Sequence, residues 1–350
     1  MNYFRENIDR LEAYTPGEQP QDGGYIKLNT NESPYPPVRA VLTAMRSAVN
    51  ADLRLYPDPL ATRVRVKAAD VYGVHPDMVI VGNGSDDVLS ILMRSFVGEN
   101  DKVVFLNPSY GLYRVLTDIQ SGRACCVEYT EDYRLPDQIV QHDAKLTFIC
   151  SPNNPSGTVT APGEVARLAA ASRGVVVIDE AYADFADGTC IDLVRSHANV
   201  VVLRSFSKSY SLAGLRIGLG IAEKDLIAGM MKVKDSYNVE RIGIAGAAAA
   251  LENVSKMQAN ARKVKRDRGY LTKQLEGLGF RVIPSQANFV FAFPPMPAGE
   301  LYEQLKARKI LVRYWNRPRL SDGVRISIGT RNELDTLLAA VTDILASRKQ

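Results

Sequence analysis

Lys208 stands in the run RSFSKSYSLAGLRIG, residues 204–218, flanked by Ser205, Ser207 and Ser209 and followed by Arg216. A lysine there can act as a nucleophile or move a proton, and hydroxyls with an arginine can hold an anion. Ser-rich turns also satisfy loose backbone groups, so the run alone leaves both uses open. VVVIDEAYADF ends an apolar run on Asp179, a carboxylate that is costly to bury without a cationic partner, and places Tyr182 shortly after it. SPNNPSGT, residues 151–158, is a turn stiffened by two prolines and a glycine that would hold the amide of Asn154 out over the end of the preceding run. GNGSDDVLSILMRSF, residues 82–96, puts Ser85, Asp86 and Asp87 at the start of an apolar-periodic helix. A helix start offers unpaired N–H groups to a phosphate, while Ser and Asp are equally good caps. The stretch has neither the GxxxxGK of a P-loop nor the glycine spacing of a dinucleotide fold.

Each of these segments follows a short β-branched run. MVIVG, KVVFLNP, LTFICSP, VVVIDE, VVVLRS and LRIGLGIA alternate with helical stretches between about residues 78 and 222. Such runs, bounded by Gly, Pro, Asn or Ser, read as buried strands of a mostly parallel sheet. The expected class is therefore α/β, a doubly wound sheet with its site at the carboxyl ends of the strands. Asn154, Asp179 and Lys208 all fall on that rim. The flanks differ: a loop-rich opening leads to an amphipathic helix carrying Val38, Val41, Leu42 and Met45. After residue 240 come an Ala-rich helix, a basic helix near 254–276, the strand-like NFVFAF and VRISIG, and a closing helix. This pattern predicts a large domain over 50–240 and a smaller α+β domain built from 1–49 and 241–350.

At 350 residues the chain can bury a large core. Its 43 basic and 39 acidic residues, net charge +4, are mixed throughout, so no stripe points to nucleic acid or an anionic membrane, and small anionic ligands remain open. The opening MNYFRENIDRLEAY has no apolar signal segment, and no run approaches the ~18 apolar residues needed to cross a bilayer, so a cytoplasmic protein is expected. Cys125, Cys126, Cys150 and Cys190 have no metal-ligand spacing; they are expected to be reduced, with no metal bound.

Taken together, a lysine, a carboxylate for a ring nitrogen, an amide and a phenol for a ring oxygen, and a serine- and arginine-lined helix start for a phosphate fit the functional groups of pyridoxal 5′-phosphate. The chain resembles the fold-type I pyridoxal-phosphate aminotransferases and, within them, the branch that acts on histidinol phosphate. The resemblance runs from EAYTPGEQP through LNTNESPYPP, YPDP, GNGSDD, NPSYGLY, SPNNPSGT, VIDEAY and SFSKSYSLAGLRIG to VRISIGTR. It implies that Lys208 holds the cofactor as a Schiff base and moves the substrate proton, and that Asp179 pairs with the pyridinium. Asn154 and Tyr182 would bond the ring oxygen, and Tyr110 would cover the ring face. The phosphate would be held by Ser85 and Asp86 amides, Ser205, Ser207 and Arg216. Tyr56 of YPDP would reach it across the interface of a homodimer with shared sites.

On the substrate side the resemblance assigns Arg325 to the acid group, with Arg313 as helper; a solvated strand-end charge is the competing use of Arg313. Tyr14 and Asn31 match pocket positions, though a structural turn suits Asn31 equally. The expected reaction moves an amino group between histidinol phosphate and 2-oxoglutarate or glutamate, in histidine biosynthesis. Aromatic amino acid transamination and threonine-phosphate decarboxylation are the alternatives on the same scaffold. One departure falls near the pocket: Tyr237, Asn238 and Val239 are followed by Glu240 and Arg241, where the family commonly has a second asparagine.

Overall fold

The computed structural model describes residues 3–348; residues 1, 2, 349 and 350 of the expected small domain and of the opening stretch lie outside the described residues. A seven-stranded sheet runs in the order Val79–Gly82, Gly218–Ala222, Val200–Ser205, Val175–Asp179, Leu146–Cys150, Lys102–Asn107, Arg123–Glu128. Gly218–Ala222 is antiparallel to both neighbours and the other pairings are parallel, so the six remaining strands end on one rim. The α/β class is as expected. The central strands are buried along their whole length because both faces are covered. Val103 and Phe105 pack with Tyr113, Leu89 and Leu92 on one face, while Val104 and Leu106 join the core on the other.

Arg123–Glu128 has no counterpart in the apolar runs read from the sequence. It is an edge strand, mostly part-exposed, so RACCVE lacks the continuous β-branched signal.

Beside this sheet lies a four-stranded antiparallel one, in the order Arg313–Tyr314, Val324–Ser327, Phe289–Phe293, Arg281–Val282. Helix Arg331–Ser347 buries Leu334, Leu337, Leu338, Val341 and Ile344, the stripe evident in the sequence. Thr330 and Glu333 form a capping box at its start. The two ends of the chain meet where Ile26–Lys27 pairs in parallel with Ile310–Leu311. The Ala-rich helix Arg241–Leu251 packs on Arg39–Ala48 and Thr62–Tyr72, its small side chains allowing close approach. No helix among the described residues is long and apolar enough to cross a membrane.

Candidate active site

The rim of the large sheet and the small sheet enclose a cleft of about 380 Å³. Every site residue named from the sequence lines it except Tyr56.

Asp179 closes the strand Val175–Asp179 and is 4% exposed. Its carboxylate accepts from the Tyr113 hydroxyl at 2.8 Å and from the Ala181 N–H at 3.2 Å. Burial nevertheless pushes its pKa up to about 6, outweighing those two bonds, because charge is poorly solvated there. Lys208 follows the adjacent strand, and its Nζ donates to the Thr30 carbonyl at 3.2 Å. Burial, reinforced by Arg325, brings the Lys208 amine down to about 8. A lysine so shifted is neutral often enough near pH 8 to act as nucleophile or base.

The anion cradle depends on the reversed strand. Because Gly218–Ala222 runs opposite to its neighbours, its start lies on the rim and carries Arg216 there. Helix Ser85–Phe96 begins against it, and a Cβ on Gly218 would collide with the Ser85 backbone. Gly84, at φ 89, permits the turn into that helix and leaves room for the Arg216 guanidinium. Arg216 itself has φ 51, a conformation uncommon for a residue with a side chain. It pairs with Asp86 at 3.0 Å and approaches the Ser207 hydroxyl at 3.4 Å. The Asp86 carboxylate also accepts from Tyr110 at 3.2 Å, which leaves its backbone N–H as its contribution to an anion at the helix start.

Beneath the rim, Arg204 ties two of these loops together. It is 7% exposed, donates to Glu180 at 2.8 Å and pairs with Asp184; Ser209, beside Lys208, also donates to Asp184. The segment holding Asp179 and the loop holding Lys208 are thus joined through one buried guanidinium.

The opposite wall comes from the small sheet. Asn31, at φ 55, donates to the Tyr182 hydroxyl at 3.1 Å and accepts from Ser327 at 2.9 Å, so it serves both pocket and turn. Arg325 is 5% exposed and donates to Asn154 Oδ1 at 2.5 Å and to the Asn29 carbonyl at 2.6 Å, while its buried Nε has no partner. Burial lowers its pKa to about 10, with Arg313 acting in the same direction and Tyr182 and Tyr14 opposing. Arg313 lies directly across the strand pair from Arg325 and donates to the carbonyls of Thr15 and Pro16 at 2.9 and 3.0 Å. It lines the cleft and is half-buried. Tyr14 packs edge-on to Tyr110, ring centroids 5.5 Å apart.

Tyr56 lies outside, 78% exposed and stacked on Tyr237 at 4.4 Å between centroids. The departure after Tyr237 is absorbed locally: Glu240 caps helix Arg241–Leu251 by accepting from the Gly243 N–H, a task an asparagine would also perform, and Arg241 donates to the Tyr56 carbonyl.

Tyr113 was not singled out from the sequence. Its position one helical turn beyond Tyr110 in NPSYGLY was the available signal, but its partner Asp179 is 66 residues away. Trp315 was missed for a plainer reason, as its short strand neighbourhood reads as generic β-structure.

A buried carboxylate in want of a cation, a lysine of lowered basicity and a cradle of serines, helix-start amides and arginine on an open α/β sheet define a site for carbonyl–amine chemistry on a phosphorylated ring. The chain belongs to the aminotransferase class I and II family, which it matches over residues 24–341. It is 47% identical to a histidinol-phosphate aminotransferase of Geobacter sp. strain M21, over 98% of this chain and 99% of that protein. It is 45% identical to histidinol-phosphate aminotransferase 1 of Trichormus variabilis, again over 98% and 99%. Among solved structures, histidinol-phosphate aminotransferase from Sinorhizobium meliloti, in complex with pyridoxal-5′-phosphate, superposes with a TM-score of 0.90 at 26% identity, covering 99% of this chain and 98% of that one.

Proposed function

We propose that this aminotransferase binds pyridoxal 5′-phosphate and moves an amino group between L-histidinol phosphate and 2-oxoglutarate or glutamate, as a step of histidine biosynthesis. The observation that carries the reading is the pair Arg313 and Arg325. They lie opposite one another at the end of the cleft, and all their hydrogen-bond acceptors among the described residues are neutral. Two unneutralised guanidinia suit a phosphate dianion, and one of them suffices for a carboxylate. The names of the relatives support the same substrate.

Pyridoxal phosphate, when bound, supplies a carbonyl for the substrate amine and a ring that draws charge from the substrate carbon. Asp179, buried and short of a cation, would hold the ring nitrogen protonated. Lys208 Nζ would anchor the cofactor covalently and later carry a proton to and from the substrate carbon. Ser205, Ser207, Arg216 and the N–H groups at Ser85 and Asp86 would take the cofactor phosphate, and Asn154 and Tyr182 the ring oxygen. Tyr110, packed edge-on against Tyr14, would cover the ring face.

The exposed apolar residues Leu53, Leu55, Tyr56, Leu60 and Tyr237 support a homodimer in which Tyr56 serves the site of the second copy. The division into domains 50–240 and 1–49 with 241–350 belongs to the same reading, supported by the pairing of Ile26–Lys27 with Ile310–Leu311.

The test is a single half-reaction. Cofactor-loaded protein is mixed separately with histidinol phosphate, glutamate, phenylalanine and threonine phosphate, and conversion of the cofactor to its amine form is followed by absorbance, with product analysis for released carbon dioxide. Conversion by histidinol phosphate and glutamate, with no carbon dioxide from threonine phosphate, is expected. A preference for phenylalanine over histidinol phosphate, or decarboxylation, would overturn the reading.

A further inference from the structure

Trp315, the sole tryptophan of the chain, lies in the wall of the cleft beside both substrate-side arginines. The guanidinium carbon of Arg313 is 5.1 Å from its ring centroid and that of Arg325 is 5.2 Å from it. Both distances are within the range of attraction between a cation and an aromatic face. The two cations differ in what else holds them. Arg325 is buried, lies 5.2 Å from the Phe289 ring and donates to Asn154 and Asn29. Arg313 is half-buried, and its acceptors among the described residues are the carbonyls of Thr15 and Pro16 in an exposed segment. Removing the indole would therefore leave Arg325 placed and release Arg313.

We propose that Trp315 is a specificity-determining residue: its indole holds Arg313 beside Arg325, and so favours a phosphate dianion, which needs both guanidinia, over a carboxylate, which needs Arg325 alone. The idea rests on the acid-binding role given to the arginines above. It concerns the anion rather than the donor, so it can be tested without turnover. A guanidinium free to swing into solvent costs ordering entropy on binding, whereas one already held over a ring does not.

The experiment measures dissociation constants of inorganic phosphate and of butyrate, a monocarboxylate, by calorimetry on cofactor-loaded protein, where the cofactor's own phosphate site is filled. Trp315→Leu is expected to weaken phosphate about tenfold, the equivalent of ~1.4 kcal/mol, and butyrate less than about threefold. Trp315→Phe, which keeps an aromatic face, should remain within about threefold for both. Equal losses for the two anions, no loss for either, or a Phe variant as impaired as the Leu variant would overturn the proposal.

Should Trp315→Leu fail to fold, the unsubstituted protein still decides. Because Trp315 is the sole source of tryptophan emission, saturating phosphate should change that emission, and Arg313→Ala should abolish the change. A spectrum indifferent to phosphate would refute the assignment. If histidinol phosphate proves not to be the donor while these binding results hold, the functional reading fails and the anion preference stands.

Discussion

Replacing Asp179 with asparagine should stabilise the cofactor-free protein at neutral pH while weakening its hold on the cofactor. The carboxyl pKa is about 6 in the folded chain against an ordinary 3.8, chiefly because burial disfavours the charge. A raised carboxyl pKa means that the folded state binds the proton more tightly than the unfolded one. Its stabilising contribution is therefore full below pH 3.8 and is lost as pH rises through about 6. A rise of about two pH units corresponds to about 3 kcal/mol, of which about 1.4 kcal/mol falls between pH 5 and pH 7.5. Asparagine does not titrate, so its stability relative to aspartate should climb by that amount over that interval. Urea unfolding of both cofactor-free proteins, at equal protein concentration and at the two pH values, measures the difference directly. Subtracting the variants cancels every other titrating group. A difference that stays constant or shrinks as pH rises would show that Asp179 is not an uncompensated buried charge, and would remove the argument that it awaits a cationic ring nitrogen.

Lys208 should capture added pyridoxal phosphate at a rate that rises with pH and levels off above about 8, because only the neutral amine attacks and burial lowers its pKa to that value. Borohydride reduction followed by peptide mapping should find the adduct on Lys208, and a rate still climbing steeply beyond pH 9 would contradict the lowered basicity. Arg204→Met should cost ~3–5 kcal/mol in urea unfolding, since it leaves Glu180 and Asp184 without their shared cation; a loss below ~1 kcal/mol would mean that water or rearrangement replaces it. Mixing Lys208→Ala with Tyr56→Ala subunits, each inactive alone, should restore part of the activity, because one of the two hybrid sites keeps both residues. No recovery despite demonstrated subunit exchange would place Tyr56 outside the neighbouring site.

Much of the site was legible because its residues are tied to strand ends. Once a run such as VVVID is recognised as a buried parallel strand, the direction of the chain places its last residue on the rim, and the loops after Cys150, Asp179 and Ser205 must share that edge. Local chemistry therefore sufficed to bring Asn154, Asp179 and Lys208 together. The stripe Leu334, Leu337, Leu338, Val341 and Ile344 was readable for a similar reason, since helical periodicity is a property of neighbours along the chain.

Only the tertiary structure decided which distant residues touch. The Tyr113 bond to Asp179 spans 66 residues, and that of Arg325 to Asn154 spans 171. Both depend on strand order and on how the small sheet sits over the large one, which periodicity does not encode. The reversed direction of Gly218–Ala222, which delivers Arg216 to the rim, is likewise invisible in an apolar run, since LGIA reads the same in either orientation. Trp315 shows the limit most clearly. Arg313 stands only two residues before it, but nothing along the chain announces Arg325, which reaches the same ring because strand pairing sets it opposite Arg313. Residue types and their short-range spacing specify what a segment can do, whereas the partners that set its charge state and orientation are chosen by long-range packing.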